Sequence, residues 1–495
     1  MAYRTIWTLA ALLAIPAALE AQQGLPSVPQ ALSLRDAIEL AVDYNPSLRQ
    51  IQNDRSPAAW GVRSAYGAFV PRFTVSGSLG YQGAGRQRFL TAEFNQGSST
   101  IGSSYSLGLS MSLSGRTLMQ PGVASAQLRA ADAAIEGAAV NLESSIRQQY
   151  LAVLQAEARE ELAARQLERN EEFLRLADAR FNVGQNTLLD VRQAQVARGQ
   201  SEVALLQAQQ AVTVEKLRLF QSIGLPAPDD PSVVVLTDSF PIAEPLWQLS
   251  DLLGDADDGN PDLAALRAQA SSARVSERAS KSSWLPSLSF SAGWSGFTQQ
   301  FTSSSFAVDQ ARASADASAD QCEFVNQNYL NPGLTPADCS AFALTPDAEQ
   351  AIRDANAVFP FSFTAQPFQA SMSVSLPIFT QFSRPAEIAQ ASARTDDALE
   401  AVRARELQVR TEVSQAFYAL RAAHQAIGIQ ESNRVAAQEQ LRLATERYRV
   451  GSGTFFELLD AQLAAQQAEA DYINAVYGYH RSIAMLESAV GRPLR

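Results

Sequence analysis

The chain has little of the chemistry that enzymes use. Its 495 residues include only two histidines and two cysteines. His424 and His480 lie far apart in helical patterns, so we expect both to be helix-face residues rather than ligands or bases. We find no glycine-rich phosphate loop and no zinc-ligand spacing. Because no nucleophile, base or metal ligands converge in the pattern, we predict no catalytic residue, no cofactor and no metal site.

The chain also lacks an excess of positive charge and long apolar runs beyond its first residues. Its net charge of -12 argues against a nucleic-acid partner. Residues 1–21 have the order of a secretory signal peptide, with Arg4, an apolar run and small residues around Ala21. Cleavage after Ala21 leaves no cysteine at the start of the mature chain, so we expect no lipid anchor. No later run is long enough for a transmembrane helix.

The two cysteines, Cys322 and Cys339, lie close together in the sequence. An exported chain meets an oxidising compartment, where a local disulfide is favoured over a metal site. Two sulfurs without a nearby histidine would make a poor zinc site. We therefore predict a disulfide between Cys322 and Cys339.

The most informative feature is an internal repeat. LRLADARFNVGQNTLLDVRQAQ, from Leu174, returns as LRLATERYRVGSGTFFELLDAQ, from Leu441, a shift of 267 residues. Nearer the start, YNPSL around Pro46 returns as GNPDL around Pro261, a shift of 215. The difference between these two shifts places about 52 additional residues in the second copy. The sequence thus predicts two copies of one unit, residues 22–227 and 247–495, joined by a linker at 228–246.

Within each copy, two segments alternate between apolar and small polar residues, which is typical of strands. We predict a β-hairpin at about 70–115 and another at about 286–380, the latter with a long loop at 299–366. The polar face is almost entirely serine and glycine, whereas a soluble sheet usually presents lysine, glutamate or threonine to water. Any one strand could belong to a soluble hairpin, but four such strands in an exported chain favour an outer-membrane barrel. The aromatic residues expected near the loop ends, as in an aromatic girdle, are Tyr81, Tyr105, Trp294 and Phe297.

Each hairpin is followed by a helical pattern about sixty residues long, which corresponds to about 90 Å of helix. The first pattern runs from Pro121 to Val183 and the second from about Pro385 to Val450. Each ends in a tight turn, at about 183–187 or 450–454, after which an antiparallel helix returns. We therefore predict a mainly α fold with a membrane β-barrel part.

Four strands cannot close a barrel, and an open edge in lipid leaves backbone groups unpaired, so we expect protomers to associate. The chain resembles the TolC family of outer-membrane efflux ducts in the motifs RFNVGQNTLLDV and RYRVGSGTFFELLDAQ and in the paired NP turns. The resemblance covers essentially the whole mature chain. It implies a homotrimer with a shared twelve-stranded barrel in outer-membrane lipid and a long periplasmic α-helical barrel. It also implies a periplasmic adaptor and an inner-membrane transporter as partners, and a belt formed by the linker 228–246.

The resemblance assigns roles to four residues. Glu457 and Asp460 match an acidic pair that lines the closed periplasmic mouth, and Asp190 matches a latch acceptor whose phenol partner is Tyr448. Glu457 has a second explanation, because Thr454 and Glu457 have the spacing of a capping box. Thr187 and Asp190 have the same spacing in the first copy. Capping does not explain Asp460, which is therefore the stronger candidate for the lumen.

The turns themselves match the surface that meets an adaptor, and the residues concerned are Gly184, Gln185, Thr187, Gly451, Gly453 and Thr454. Gly453 stands where the family often has a basic latch residue. Helix-hairpin geometry alone also favours glycine at such turns. The alternative overall reading is a soluble periplasmic coiled-coil adaptor or structural protein, although adaptors carry one helical hairpin and lack the serine-faced strands.

Overall fold

The computed structural model describes residues 29–89, 92–185, 187–329, 333 and 335–494. The predicted signal peptide, residues 1–21, lies outside the described residues, as does Asn186 in the first turn. The elements in chain order are β1 (Ala31–Leu32), α1 (Leu34–Tyr44), α2 (Pro46–Asn53), α3 (Arg55–Gly67), β2 (Arg72–Gln82), β3 (Gly85–Phe89), β4 (Ala92–Gln96), β5 (Thr100–Leu113), α4 (Gly115–Asn182), α5 (Leu188–Ile223), β6 (Val235–Leu236), α6 (Leu249–Gly259), α7 (Pro261–Lys281), β7 (Ser287–Phe301), α8 (Ser304–Tyr329), α9 (Pro346–Asn356), β8 (Thr364–Ala365), β9 (Gln369–Ser375), α10 (Ser383–Arg449) and α11 (Phe455–Val490).

The chain forms two compact units that do not follow the repeat boundaries. The helical unit comprises Met1–Ala58, Ala126–Ala273 and Thr395–Arg495, as far as these are described. The strand unit comprises Ala59–Ser125 and Arg274–Arg394. Each unit takes segments from both copies of the repeat, so each contains its own pair of equivalent parts.

In the helical unit, equivalent residues of the two copies occupy equivalent cores. One core joins α1, α4 and α5 of the first copy, and the other joins α6, α10 and α11 of the second. Ala37, Ile146 and Leu219 of the first copy are fully or almost fully buried. Their counterparts at the shifts of 215 and 267 residues, Leu252, Val413 and Leu486, are buried in the second. The repeat is therefore a repeat of packing as well as of sequence.

Both NP turns anchor this packing in the same way. The Asn45 side chain accepts from the backbone N–H groups of Ser47 and Leu48 and donates to the Ser222 carbonyl at 2.7 Å. Asn260 likewise donates to the Ala489 carbonyl at 2.9 Å. A buried asparagine that caps one helix and binds the end of another fixes the angle between them. The segment from Pro46 to Gly67 forms two helices, α2 and α3.

The linker 228–246 packs within the helical unit, against β1 and α4. Strand β6 pairs in parallel with β1 through Ala31↔Val235 and Leu32↔Leu236. The hydroxyl oxygen of buried Tyr150 lies 2.9 Å from both the Leu32 carbonyl oxygen and Asp238 Oδ2, which share its single proton as acceptors. Burial raises the pKa of the Tyr150 phenol, since an ionised phenolate would be poorly solvated there.

Away from the hairpin ends, side-chain contacts of the helical unit follow the order α5, α4, α11, α10. Helix α4 contacts both α5 and α11, and α11 contacts both α4 and α10. One hydrogen-bonded pair for each contact, in that order, is Gln149–Glu215, Gln155–Asn474 and Gln438–Glu469. Helices α5 and α10 are thus the outer members of a four-helix layer.

The strand unit is built on an antiparallel sheet with the order β2, β5, β7, β9, with β8 as a further short partner of β7. The register runs from Arg72↔Ser110 to Gln82↔Thr100, and β5 and β7 pair over fourteen positions from Thr100↔Phe301. In this register one face carries the apolar residues and the other carries serine and glycine. Hydroxyl pairs such as Ser76–Ser106 and Ser291–Ser371, at 2.7 Å, line the polar face.

Two sequence expectations about the sheet are corrected. Phe297 pairs with Ser104 and therefore lies on the serine face, opposite Trp294, because the two residues differ by an odd number of positions. Strand β9 ends at Ser375, so Leu376 and Ile378 follow the strand rather than continue it.

Residues 299–366, expected as a long loop, contain the helices α8 and α9. Cys322 and Cys339 form a disulfide within this insert, with Cα atoms 5.6 Å apart. At one end of the sheet, the strands connect directly to the helices α3, α4, α7 and α10. The insert connects β7 to β9 at the opposite end. Over the described residues, none of the helices combines the length and the apolar character needed to span a bilayer.

Candidate functional site

The two hairpin ends, which we call the tips, share one turn geometry. After α4, the Gln185 N–H donates to the Arg180 carbonyl at 2.8 Å, and after α10 the Ser452 N–H donates to the Arg447 carbonyl at 2.9 Å. Gly184 and Gly451 stand between them with φ of 78° and 81°. Glycine adopts this left-handed conformation without the penalty that a Cβ would bring. The tips are therefore two copies of one defined turn.

Both tips continue into a helix that begins with a capping box. Thr187 accepts from the Asp190 N–H, and Asp190 Oδ2 accepts from the Thr187 N–H at 2.9 Å. Thr454 and Glu457 make the equivalent pair, with Glu457 Oε2 3.4 Å from the Thr454 nitrogen. Glu457 also lies 3.7 Å from Arg447 in an exposed ion pair. The local fold thus explains a carboxylate at positions 190 and 457.

Asp460 is different, because it has no such local role. It lies one turn after Glu457, on the same side of α11, and is exposed. In the described part of the chain, no hydrogen bond or ion pair holds its carboxylate. The equivalent position of the first copy carries Gln193. Among the described residues, no group of three or more His, Cys, Asp and Glu side chains is placed to hold a metal ion.

An apolar cluster, which we call the tip cluster, packs the two tips against each other. Tyr448 is 2% exposed and its ring lies 5.7 Å from that of Phe455. Val191, the neighbour of Asp190, belongs to the same cluster. The cluster consists of Phe173, Ala177, Val191, Ala194, Tyr448, Phe455 and Leu458. The structure therefore brings the segments around Asp190 and Tyr448 together, while the Asp190 carboxylate itself accepts from Thr187.

Arg180 makes a further contact between the tips that the sequence reasoning missed. Its guanidinium donates to the Tyr448 carbonyl and lies 4.6 Å from the centre of the Tyr448 ring. The contact combines a charge-assisted hydrogen bond at the end of α10 with a cation–π interaction. The available signal was the repeat itself, since Arg180 aligns with Arg447, an arginine in both copies one residue before the aromatic.

A buried polar layer lies beyond the tip cluster. Asn170 of α4 is 5% exposed and Gln462 of α11 is 6% exposed. The Gln462 amide donates to the Asn170 oxygen, and the Asn170 amide donates to the Ser201 hydroxyl of α5. Because buried amides are costly to leave unpaired, this layer fixes the three helices at one level.

The outer surface of both tips is apolar. Val183 and Val450, which are equivalent in the repeat, are 68% and 74% exposed. Leu189 and Phe456 are also equivalent, at 64% and 73%. Gly453 cannot be enlarged freely, because a Cβ there would lie 3.1 Å from the Arg447 Cβ. The tips thus present two similar apolar surfaces in each chain.

The sequence matches one protein family, described as outer membrane efflux protein, over residues 37–225 and 341–492. The first range covers most of the first copy of the repeat, and the second range covers the later part of the second copy. The resemblance noted from the tip motifs and NP turns is confirmed. A comparison with curated protein sequences finds no match.

The fold is similar to those of several solved outer-membrane proteins. The chain matches VceC of Vibrio cholerae with a TM-score of 0.67 at 18% identity, covering 93% of this chain and 97% of that one. It matches the CmeC outer membrane channel of Campylobacter jejuni with a TM-score of 0.68 at 16% identity, covering 92% and 85%. It matches the MtrE outer membrane channel of Neisseria gonorrhoeae, described in an open state, with a TM-score of 0.66 at 20% identity, covering 93% and 89%. At these identities the similarity shows the fold.

Proposed function

The chain belongs to the outer membrane efflux protein family and is an outer-membrane efflux channel with a periplasmic helical domain, and on this basis we propose how it assembles, closes and docks. Three copies form one duct, in which three four-stranded sheets close a twelve-stranded barrel and three helical units form a helical barrel. The duct is passive, and its cargo comes from an inner-membrane transporter through a periplasmic adaptor. The proposal rests above all on the unpaired edges of the sheet.

The described sheet has the strand order β2, β5, β7, β9, so β2 and β9 are its edge strands. Phe73 and Val75 of β2, and Met372 and Val374 of β9, are between 64% and 70% exposed. An apolar face suits lipid, but an open edge in lipid leaves backbone N–H and C=O groups unpaired at several kcal/mol each. Pairing of β9 with β2 of the next copy removes every edge once a ring closes.

The helical unit has matching free sides. Its outer helices, α5 and α10, carry exposed apolar residues that face no other part of the described chain. Leu407, Tyr418 and Ile429 of α10 recur every eleven residues, about three turns, and so form one stripe. Beyond its first turn, α5 exposes the apolar residues Val196, Val203, Leu206 and Leu217. Packing of α10 against α5 of the next copy continues the order α5, α4, α11, α10 around the ring.

The tips form the gate of the proposed duct. Threefold symmetry places Glu457 and Asp460 in stacked carboxylate rings, which attract cations and repel anions. The tip cluster, Arg180 and a latch between Asp190 and Tyr448 hold the closed state, and a small helix shift releases it. The free carboxylate of Asp460 supports this role, because neither capping nor an ion pair accounts for it.

The apolar outer surfaces of the tips dock the adaptor. The tip residues are Gly184, Gln185, Thr187, Gly451, Gly453 and Thr454, and the exposed pairs Val183/Val450 and Leu189/Phe456 flank them. Because each chain carries two similar tips, a trimer presents six, which suits a hexameric partner. The alternative of a soluble periplasmic adaptor is set aside, because the family match includes the long helical hairpins of both copies.

Two neighbouring residues of β9 provide the test. Met372 lies on the apolar face and Ser373 on the serine face. A charge facing the bilayer midplane costs about 2–4 kcal/mol, whereas one facing the lumen is tolerated. We therefore expect Met372→Arg to lose the heat-modifiable trimer from isolated outer membranes and Ser373→Arg to retain it. Equal behaviour of the two variants, or a parent chain that fractionates as a soluble monomer, would contradict the proposal.

A further inference from the structure

The segment from Phe359 to Phe368, which we call the strap, includes β8, which pairs with β7 at the edge of the sheet, and its aromatic side chains lie against the apolar face. The Ser103 hydroxyl donates to the Pro360 carbonyl. The rings of Tyr105 and Phe363 are 4.9 Å apart, and those of Trp294 and Phe368 are 4.6 Å apart. Ser103, Tyr105 and Trp294 lie on the same face as the bilayer-facing residues, by the register of β5 and β7. The strap therefore covers the outside of the sheet at the end that leads into the insert.

The strap is not a buried core segment. Phe361 is 80% exposed, Phe368 is 51% exposed, and Trp294 beside it is 54% exposed. Several large aromatic side chains together on an exposed surface indicate a contact with another apolar phase. The strap also accepts a hydrogen bond from the hydroxyl of Ser103, which is 6% exposed and lies beside Thr298 on the mostly apolar face. Both properties suit a surface that contacts lipid.

Charge changes abruptly where the strap begins. Residues 304–356 contain eight acidic residues and two arginines, which is half of the net charge of the whole chain. From residue 355 to residue 383 there is no Asp, Glu, Lys, Arg or His, and six of these residues are phenylalanine. A protein partner is usually met by a surface with a polar rim, whereas a bilayer interface selects uncharged aromatic segments. This pattern favours lipid as the occupant.

The position of the strap matches the height of a bilayer. From Leu288 to Thr298, which lies under the strap, β7 rises about 34 Å along its length. With a tilt of about 40°, this corresponds to about 25 Å along the membrane normal, the height of the apolar band of such barrels. At the other end of β9, Ile378, Phe379 and Phe382 are 90%, 71% and 72% exposed. Aromatic residues thus mark both limits of one band.

We propose that the strap is an outer-leaflet anchor, whose phenylalanines lie at the boundary between the acyl chains and the headgroups of the outer membrane. The inference rests on the proposed function, because it requires the apolar face of the sheet to face lipid. It assigns the second copy a role that the first lacks: each protomer carries one aromatic strap, which sets the depth of the barrel.

Spin labelling tests this inference in the full-length trimer. A nitroxide is attached at Phe361→Cys and the protein is reconstituted in vesicles of phosphatidylethanolamine and phosphatidylglycerol. The native cysteines are joined in a disulfide and do not react. Two control sites are Val75→Cys, on the apolar face of β2, and Ala317→Cys, exposed on α8. The collision rates of each label with oxygen and with a water-soluble nickel complex are compared.

We expect the oxygen-to-nickel ratio at residue 361 to exceed that at residue 317 several-fold and to be somewhat below that at residue 75. Because Phe361 is largely exposed, its replacement removes little packing. A ratio at residue 361 equal to that at residue 317, with a high ratio at residue 75, would overturn the anchor alone. A low ratio at residue 75 as well would overturn the proposed barrel, and the anchor with it.

Discussion

The two tips are built from equivalent residues but are packed differently. In the second copy, Tyr448 and Phe455 are 2% and 5% exposed within the tip cluster. In the first copy, their equivalents Phe181 and Leu188 are 40% and 52% exposed. The turn and the capping box are the same in both. The difference therefore lies in how the neighbouring helices cover the two tips and not in the turn, and it places the buried contacts on the second copy.

The largest expected effect is on Tyr448. Removal of a fully buried aromatic side chain costs about 3–5 kcal/mol, here within the cluster that joins the tips. We expect Tyr448→Ala to raise the single-channel conductance in planar bilayers severalfold, whereas Phe181→Ala leaves it nearly unchanged. If Phe181→Ala opened the channel as much as Tyr448→Ala, the comparison between the tips would fail.

The two equivalent arginines of the tips, Arg180 and Arg447, make different contacts. Arg180 reaches from the first tip to the second, while Arg447 makes an exposed ion pair within its own tip. A hydrogen bond from a charged group contributes about 1.5–3 kcal/mol, and an exposed ion pair about 0–1 kcal/mol. We expect Arg180→Ala to increase the open probability by roughly tenfold and Arg447→Ala to change it little. Equal effects in the same bilayer recordings would show that the Arg180 contact stabilises the closed state no more than the Arg447 ion pair does.

The capping boxes should not distinguish the tips. Thr187→Ala and Thr454→Ala each remove one cap, so each should destabilise its helix end by about 1 kcal/mol. Hydrogen exchange of the backbone amides in the first turn of α5 and α11 measures this directly. If only one of the two substitutions destabilised its helix end, the two capping boxes would not contribute equally to stability.

The smallest expected effect concerns Tyr150, in the core of the first copy. Tyr150 of the first copy aligns with Phe417 of the second, so the second copy has no phenol at this position. Since burial raises the pKa of Tyr150 above its unfolded value, its contribution to stability is complete below about pH 10 and is lost as the pH rises further. We expect Tyr150→Phe to be less stable than the parent at pH 8 and to lose less stability between pH 8 and pH 11. Thermal unfolding of the two trimers at both pH values measures this, and parallel losses would contradict it.

Sequence patterns predicted the long helices, the hairpin strands and the capping residues well, because each depends on local spacing. The alternation around Leu107 and the capping spacing of Thr454 and Glu457 are examples. The sequence did not predict the packing difference between Phe181 and Tyr448, since both are aromatic residues at equivalent positions. It also missed Arg180, whose contact depends on which tip lies next to it. The insert was expected as a loop because most of α8, from Asp309 to Glu323, has no large apolar side chain that would form a hydrophobic stripe.

The family resemblance supplied the assembly, which one chain cannot show by periodicity. A sheet with edges at β2 and β9 requires a partner, but the number of copies follows from the resemblance. The strap illustrates the reverse case. Its phenylalanines fall outside the repeat, and only the structure places them against Tyr105 and Trp294.

Asp460 is the residue that we propose forms a cation-selective ring at the closed mouth. The most direct test is the reversal potential of the purified trimer in a salt gradient, compared between the parent, Asp460→Ala and Gln193→Ala. The equivalent position in the first copy serves as the matched control. The account predicts that Asp460→Ala lowers the cation preference severalfold and relieves block by divalent cations, while Gln193→Ala changes neither. An unchanged reversal potential and unchanged block in Asp460→Ala would contradict it.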